Sequence, residues 1–502
     1  MKKITTILIL SAVLLAACAL QTGNKKQKAI PQTSGIVQQA TLQATVSSQP
    51  EMTPFAQATI AKNKKEKSPN LAPTPASQDF IAYPLAGRPT DSSVTLNMVP
   101  AASMEFHYEY GTASENYTAE TRTQSAEGGL PVETLIDGLQ ANTRYYYRLL
   151  YGANRTSPEQ TFTTQRSPGS SFTFDIQGDS HPERIGKQFD PQLYTRTLLS
   201  AAKDRPDFYM TIGDDFSVDA LKSVDAAVVH SLYINQRQWL GLVAAPLFLV
   251  NGNHEQAALA NINNSPDNVA VWAQTARNSL FPQPAPDAFY SGDSEPVDFI
   301  GPLRDYYAFT WGDALFVVID PYWHSPQTVD NQFGADRDQK GKKDAWNATL
   351  GDTQYQWLKT TLESSQSPYK FVFAHHVNGT GRGGIELAHT GEWGDTANLS
   401  IQRPGWDKTI HQLMVDNGVT IFFQGHDHLF ARQELDGVIY QTLPEPANPN
   451  YTLENAQAYQ SGDRLPNSGH LRVMISASGV QVDYVRSYLD KADELAFTYL
   501  TK

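Results

Sequence analysis

An all-β sandwich followed by an α/β domain is the architecture that the 502-residue sequence predicts. Three features point to it. Short alternating runs separated by turn residues fill residues 79–166. From residue 171 to about 490, apolar runs alternate with helical segments instead. Five of these later runs end in Asp, Asn or His, in four cases directly after a glycine.

The chain exceeds the length of one ordinary domain, and its 40% hydrophobic and 11% aromatic content suffices for sizeable cores. A formal net charge of −13 excludes an electrostatic grip on nucleic acid, which needs basic stripes. The same charge disfavours anionic substrates unless bound cations reverse the local field.

Met1-Lys2-Lys3 opens the chain, followed by an apolar run from Ile4 to Leu15 and then Ala16-Ala17-Cys18. This has the charged, apolar and small-residue regions of a signal peptide, and the run is too short for a permanent transmembrane helix. Leu15-Ala16-Ala17-Cys18 resembles the lipobox of bacterial lipoproteins. The resemblance implies a signal over residues 1–18, lipidation of Cys18, and an extracytoplasmic protein held to a membrane surface; a plain secretory signal is the alternative. Cys18 is the one cysteine, so no intramolecular disulfide forms and the cores alone must hold the domains. Residues 19–78 are rich in Gln, Thr, Ser, Ala, Lys and Pro without sustained periodicity, the composition of a disordered tether with no site role.

Within residues 79–166 the runs Ser93–Met98, Met104–Tyr110, Tyr145–Leu150 and Gln160–Thr163 have the length and spacing of sandwich strands. Leu139-Gln140-Ala141-Asn142-Thr143-Arg144-Tyr145 resembles the tyrosine-corner segment of fibronectin type III domains. That resemblance implies a structural hydrogen bond from Tyr145 to nearby backbone.

Residues 166–170 form a linker. Helices are expected over Pro191–Lys203, Thr353–Ser364 and Trp406–Asn417. In α/β domains ligands bind beyond the carboxyl ends of the strands. Strand 171–177 ends in Gly178-Asp179-Ser180-His181, and strand 207–212 in Gly213-Asp214-Asp215. Strand 246–250 ends in Asn251-Gly252-Asn253-His254-Glu255, and strand 369–373 in Ala374-His375-His376. Strand 419–424 ends in Gly425-His426-Asp427-His428, which delivers two imidazoles to one turn and suits two adjacent metal ions better than one. Any one such end is ordinary turn chemistry. Six of the 12 histidines lie at these ends, however, and buried imidazoles and carboxylates are costly without partners.

Together, D-x-H, G-D, G-N-H-E, the strand-end His and G-H-x-H resemble the calcineurin-like metallophosphoesterase superfamily over roughly residues 172–484. Gly425–Arg432 and the preceding sandwich are most similar to its purple acid phosphatase branch. The resemblance implies an αββα four-layer sandwich and a two-metal site of Fe, Mn or Zn. Asp179, His181, Asp214 and His428 would hold one ion, and Asp214, Asn253, His375 and His426 the other. It further implies hydrolysis of small phosphate monoesters by a metal-activated hydroxide. His254 would act at the leaving group or phosphate, His376 would contact substrate, and Arg382 in the loop Gly379–Gly384 would close over the phosphate. Asp215 and Glu255 are candidates for supporting carboxylates. A phosphodiesterase with the same ligands is the nearest alternative, and a non-catalytic binding protein the remote one. One position departs from the purple enzymes: their iron-binding tyrosine is replaced by Ser217, so a colourless site is expected. The polar segments 261–302 and 321–343 are expected to shape substrate access.

Overall fold

Strand alternation sorts the side chains of the α/β region into three cores. In the strand Phe172–Gln177, Phe174 and Ile176 face one way and Asp175 and Gln177 the other. The computed structural model in which this is seen describes residues 78–218, 221–256, 264–326, 344–379 and 381–501. The leader with Cys18, all but the last residue of the 19–78 tether, most of 321–343 and part of 261–302 lie outside the described residues.

Two sheets stack face to face. One has six strands in the order Leu247–Leu249, Tyr209–Thr211, Phe172–Gln177, Gly469–Ser476, Gly479–Arg486 and Glu494–Thr501, the first three parallel. Its last strand extends past residue 490, where the sequence pattern places the end of the domain. The other sheet has eight strands, with Ala314–Val318, Tyr369–Phe373, Ile421–Gln424 and Val438–Thr442 parallel at its centre. Between the sheets lie Phe174, Phe208, Phe248, Phe316, Phe371 and Phe423 among others, all buried. Phe174 stacks on Phe208 with centroids 5.5 Å apart. Each such ring contributes roughly 1.5–3 kcal/mol by leaving water.

Helices cover the outer faces. Pro191–Asp204, Ala226–Leu240 and Val269–Leu280 pack on the six-stranded sheet through Tyr194, Leu198, Trp239 and Leu280. Gly351–Ser364 and Ile410–Asp416 pack on the eight-stranded sheet through Leu358, Leu362, Leu413 and Met414. The result is the expected αββα sandwich. The helix Pro191–Asp204 begins where the sequence places it, because Asp190 Oδ1 accepts from the backbone N–H of Gln192 and Leu193, both at 2.9 Å, ahead of a helix-compatible proline. The last predicted helix starts later, at Ile410: Thr409 caps it, while Trp406 lies flat on Tyr355 with centroids 3.7 Å apart.

The region 80–163 is an all-β sandwich. Phe80–Gly87, Val94–Pro100 and Val132–Ile136 form one sheet; Met104–Gly111, Arg144–Tyr151 and Gln160–Thr163 belong to the other. Tyr145 Oη accepts from the Gln140 backbone N–H at 2.9 Å, the expected corner bond. The sandwich is locked to the α/β domain through Arg237, a buried cation on the helix Ala226–Leu240. Its guanidinium donates to Tyr83 O at 2.9 Å, and to Asn97 Oδ1, Asn97 O and Leu280 O. Asp207 receives Arg166 Nε at 2.6 Å and Arg144 Nη2 at 3.3 Å, closing the linker from the other side. Among the described residues no helix is long and apolar enough to cross a membrane.

Candidate metal centre

All five parallel strands that carry the sequence motifs end on one side of the molecule, so their loops meet. Backbone bonds knit them together: Gly425 N–H donates to His375 O at 2.8 Å and His181 N–H to Asp214 O at 3.1 Å. Asp179 Oδ2 lies 3.1 Å from His428 Nε2, 3.8 Å from His181 Nε2 and 4.0 Å from His375 Nε2. Asp214 Oδ2 lies 3.1 Å from His375 Nε2, 3.6 Å from His181 Nε2 and 3.8 Å from His254 Nε2. His426 Nδ1 is 3.3 Å from His375 Nε2. Six of the seven sequence-predicted ligands therefore share one buried cage. The seventh, Asn253, is buried on the adjoining turn, where the His254 backbone N–H donates to Asp214 Oδ1 at 3.0 Å.

The backbone makes this convergence possible at a cost. His181, Asp214, His426 and His428 have φ of 45°, 55°, 65° and 61°, the left-handed region that non-glycine residues seldom adopt. Each costs on the order of 1 kcal/mol and persists only where surrounding contacts over-determine it. Gly425-His426-Asp427-His428 is thus a tight turn, with the Asp427 N–H donating to Gly425 O at 2.7 Å. A Cβ at Gly425 would overlap Asp179 Oδ1 and Ile212, and one at Gly252 would overlap Asp214, which explains both glycines.

The imidazoles are aimed by their second nitrogens. His181 Nδ1 is 3.0 Å from Glu183 Oε1, His375 Nδ1 is 2.9 Å from Ile212 O, and His428 Nδ1 is 3.1 Å from Glu445 Oε1. An Nδ1 proton donated by His181 and His375 turns their Nε2 lone pairs toward Asp179 and Asp214, as in metal-ligating histidines, while Glu445 faces His428 Nδ1 as an ion-pair partner. His254 Nδ1 bonds Ser217 Oγ at 3.0 Å, so the residue standing in place of the purple enzymes' tyrosine orients His254.

Electrostatics give the cage its appetite for cations. Burial alone would raise the Asp214 carboxyl, but the charges of His375 and His254 outweigh it and hold Asp214 well below the usual carboxylate range. Burial would lower His375, yet Asp214 and Asp179 push it up to about 10. His181 goes the other way: burial, reinforced by Arg184, brings it down to about 4, leaving a neutral ring with a lone pair to donate. Asp179 Oδ2 and His181 Nε2 are buried and have no hydrogen-bond partner. Two carboxylates and several imidazoles that demand positive charge fit a pair of transition-metal ions.

Glu255 is a supporting residue of unexpected reach. Its Oε2 accepts from the backbone N–H of Asp214 and Gly252, both at 2.8 Å; its Oε1 accepts from Asp215 at 2.7 Å and Phe216 at 3.1 Å. Asp215 Oδ1 accepts from Gln177 Nε2 and Ser180 Oγ, both at 2.9 Å, and supports the same turn. His376 stacks on His426 with centroids 4.1 Å apart and bonds Tyr322 Oη at 2.7 Å. The Arg382 guanidinium, partly exposed, donates to His426 O at 2.5 Å and to Asp427 Oδ1 at 3.1 Å. Asp427 Oδ2 also accepts from Gly383 N–H and Tyr459 Oη, both at 2.7 Å, so the residue between the two histidines fastens the glycine-rich loop. The sequence reading leaves out Glu183, Glu445, Tyr322 and Tyr459. Glu445 was within reach, since Leu443-Pro444-Glu445 follows the strand Val438–Thr442 as a sixth end of the same kind.

Two facing sheets with a buried Asp/His cage beyond the parallel strands define a metal-dependent phosphoester hydrolase. The chain belongs to the calcineurin-like phosphoesterase family, whose profile matches residues 172–430, more than half of its length. It is a hydrolase of the phosphoesterase superfamily. Among solved structures it is similar to PhoD, at 16% identity and a TM-score of 0.60 over 86% of this chain and 91% of that one. It is also similar to a purple acid phosphatase isolated from yellow lupin (Lupinus luteus) seeds, at 16% identity and a TM-score of 0.54 over 83% of this chain and 73% of that one. At such identity these are likenesses of fold. A comparison with curated protein sequences finds no significant match.

Proposed function

We propose that this chain hydrolyses phosphate monoesters at a dinuclear centre of Fe, Mn or Zn. Asp179, His181, Asp214 and His428 would hold one ion, and Asp214, Asn253, His375 and His426 the other. The observation that carries this is the aimed cage: Asp179 and Asp214 each face Nε2 of His181 and of His375, whose Nδ1 atoms are already engaged. Bound there, two cations supply compensating charge for a phosphate and a water acidic enough to ionise near neutral pH.

The chain's own residues do the rest. Asp214 faces imidazoles of both ligand sets through one oxygen, the position a shared ligand requires. His254, fixed at Nδ1 by Ser217, presents Nε2 3.8 Å from Asp214 Oδ2 and holds a proton there for the departing oxygen. His376, fixed between Tyr322 and His426, forms a wall against the substrate. Arg382 offers a planar donor pair at the rim, already anchored through Asp427.

The test is an assay of the full chain on p-nitrophenyl phosphate and bis-p-nitrophenyl phosphate, before and after chelation and metal return. Chelation is expected to abolish hydrolysis and added metal to restore it, with the monoester cleaved faster. Activity indifferent to chelation overturns the metal mechanism, and faster diester cleavage makes the enzyme a phosphodiesterase.

We also propose that the lipobox-like Leu15-Ala16-Ala17-Cys18 tethers this activity to the outer face of a bacterial membrane. Cys18→Ser, expressed in a bacterium that processes lipoproteins, is expected to move the protein from the membrane fraction to the soluble fraction. Unchanged membrane retention would refute the anchor.

A further inference from the structure

A second cluster of metal-competent side chains lies on the outer face of the six-stranded sheet, within the strands rather than beyond their ends. Asp175 points away from the phenylalanine core. Antiparallel register sets it opposite Arg472 in Gly469–Ser476, and His470, two residues away, shares that face. Asp204, the last residue of the helix Pro191–Asp204, meets them from above the sheet. His470 Nε2 lies 3.1 Å from Asp204 Oδ2 and 3.8 Å from Asp175 Oδ2. Asp175 and His470 are wholly buried, and neither Asp175 oxygen has a hydrogen-bond partner, nor has His470 Nδ1. A carboxylate left so is rare in a folded protein and calls for an explanation.

Charge does not balance around it. Arg472 donates from Nη1 to Asp204 Oδ1 at 2.8 Å and from Nη2 to Asp483 Oδ2 at 2.6 Å. One guanidinium thus faces the carboxylates of Asp175, Asp204 and Asp483, a surplus of two negative charges among these four groups when all three acids are ionised. With protons alone to satisfy it, burial and then Asp204 push the Asp175 carboxyl well above its usual range. A divalent cation would remove the whole surplus.

We propose that Asp175, Asp204 and His470 bind a divalent cation of the zinc or manganese kind, separate from the catalytic pair. The donor atoms are 3.1 and 3.8 Å apart. Ligands on a tetrahedral ion with bonds of roughly 2.0–2.1 Å are themselves roughly 3.3 Å apart, so little movement is needed. One imidazole and two carboxylates suit these ions better than calcium, which takes oxygen alone. The ion ties the carboxyl end of the helix Pro191–Asp204 to the central strands, and the same helix packs over the strand that leads to Asp179.

Full-length protein, stripped with chelator and reloaded with Zn²⁺ alone, tests this by metal content per chain and thermal melting. Asp214→Ala, which leaves this cluster untouched, is expected to keep about one equivalent and to melt higher with Zn²⁺ than without. Asp175→Asn and His470→Gln are each expected to carry about one equivalent less than the wild type while still hydrolysing phosphoesters. Equal metal content in the wild type and a folded Asp175→Asn would overturn the proposal and make Asp175 a buried neutral acid. Asp214→Ala devoid of metal would overturn it even if the cluster variants do not fold. Failure of the catalytic reading shows differently, as Asp214→Ala with the full metal content of the wild type.

Discussion

Asp214→Ala is expected to lower phosphoester hydrolysis by on the order of 10⁴-fold or more, because two effects fall on one oxygen. Each 1.4 kcal/mol of lost transition-state stabilisation is about tenfold, and charge compensation by bound metal supplies several kcal/mol. Asp214 Oδ2 faces His375 at 3.1 Å, His181 at 3.6 Å and His254 at 3.8 Å, so its removal weakens both ligand sets and the field around His254 together. The chain should still fold. Asp179 stays 4.0 Å from His375 and keeps a counter-charge in the cage, although losing the attraction to His375 and His254 that holds the Asp214 carboxyl low costs some stability. Asp214→Asn is the useful companion, since asparagine tolerates φ of 55° and can still accept from His254 N–H while the charge is gone. His428→Ala is expected to weaken mainly the ion on the Asp179 side, because its Nε2 reaches Asp179 Oδ2 at 3.1 Å. Metal content measured beside activity separates the cases. Full catalytic-site occupancy in Asp214→Ala would contradict the shared-ligand role.

The ligands were legible in the sequence because each follows directly on an apolar run, and strand ends in an α/β sheet converge without help from side chains. Asp179, Asp214, His375 and His426 lie within four residues of the last strand residue before them, so finding the strands finds the site. What supports the ligands was legible only in part: Asp215 and Glu255 stood out as candidate carboxylates beside the motifs, but the groups they hold lie across the chain. Glu255 bonds the backbone of Asp214 from 41 residues away, and Glu445 faces His428 from the loop that follows the strand Val438–Thr442. Neither distance leaves a spacing to recognise. Asp175 was hidden for a different reason. In Phe172-Thr173-Phe174-Asp175-Ile176-Gln177 it occupies the polar phase of an alternating strand, which ordinarily means solvent. Here the helix Pro191–Asp204 covers that face, and alternation alone cannot show that both faces are buried. The start of the last helix was misplaced because Trp406 has an apolar side chain in phase with the helix. Its ring lies against Tyr355, and Nε1 donates to Asp352 Oδ1 at 2.8 Å before the helix begins.

Glu255→Ala is expected to destabilise the fold by about 4 kcal/mol and to reduce activity as well, although the residue touches no proposed ligand side chain. Its carboxylate is buried and accepts from the backbone N–H of Asp214, Asp215, Phe216 and Gly252 at 2.7–3.1 Å. Each buried donor left without an acceptor costs roughly 1–3 kcal/mol, and water entering the space opened by alanine recovers part of the sum. The same bonds hold Asp214 at its positive φ, so the turn is expected to relax toward ordinary backbone angles and draw the carboxylate off the cage axis. A displacement of about 1 Å at such a site lowers the rate by about 10²-fold. Glu255→Gln keeps one oxygen but turns an amide N–H against backbone donors, so it should fall between the wild type and alanine in both measures. Urea denaturation and hydrolysis at subsaturating metal distinguish the two contributions. Reduced stability with full activity would make Glu255 a fold residue alone. Unchanged stability would mean that the four bonds do not hold the turn.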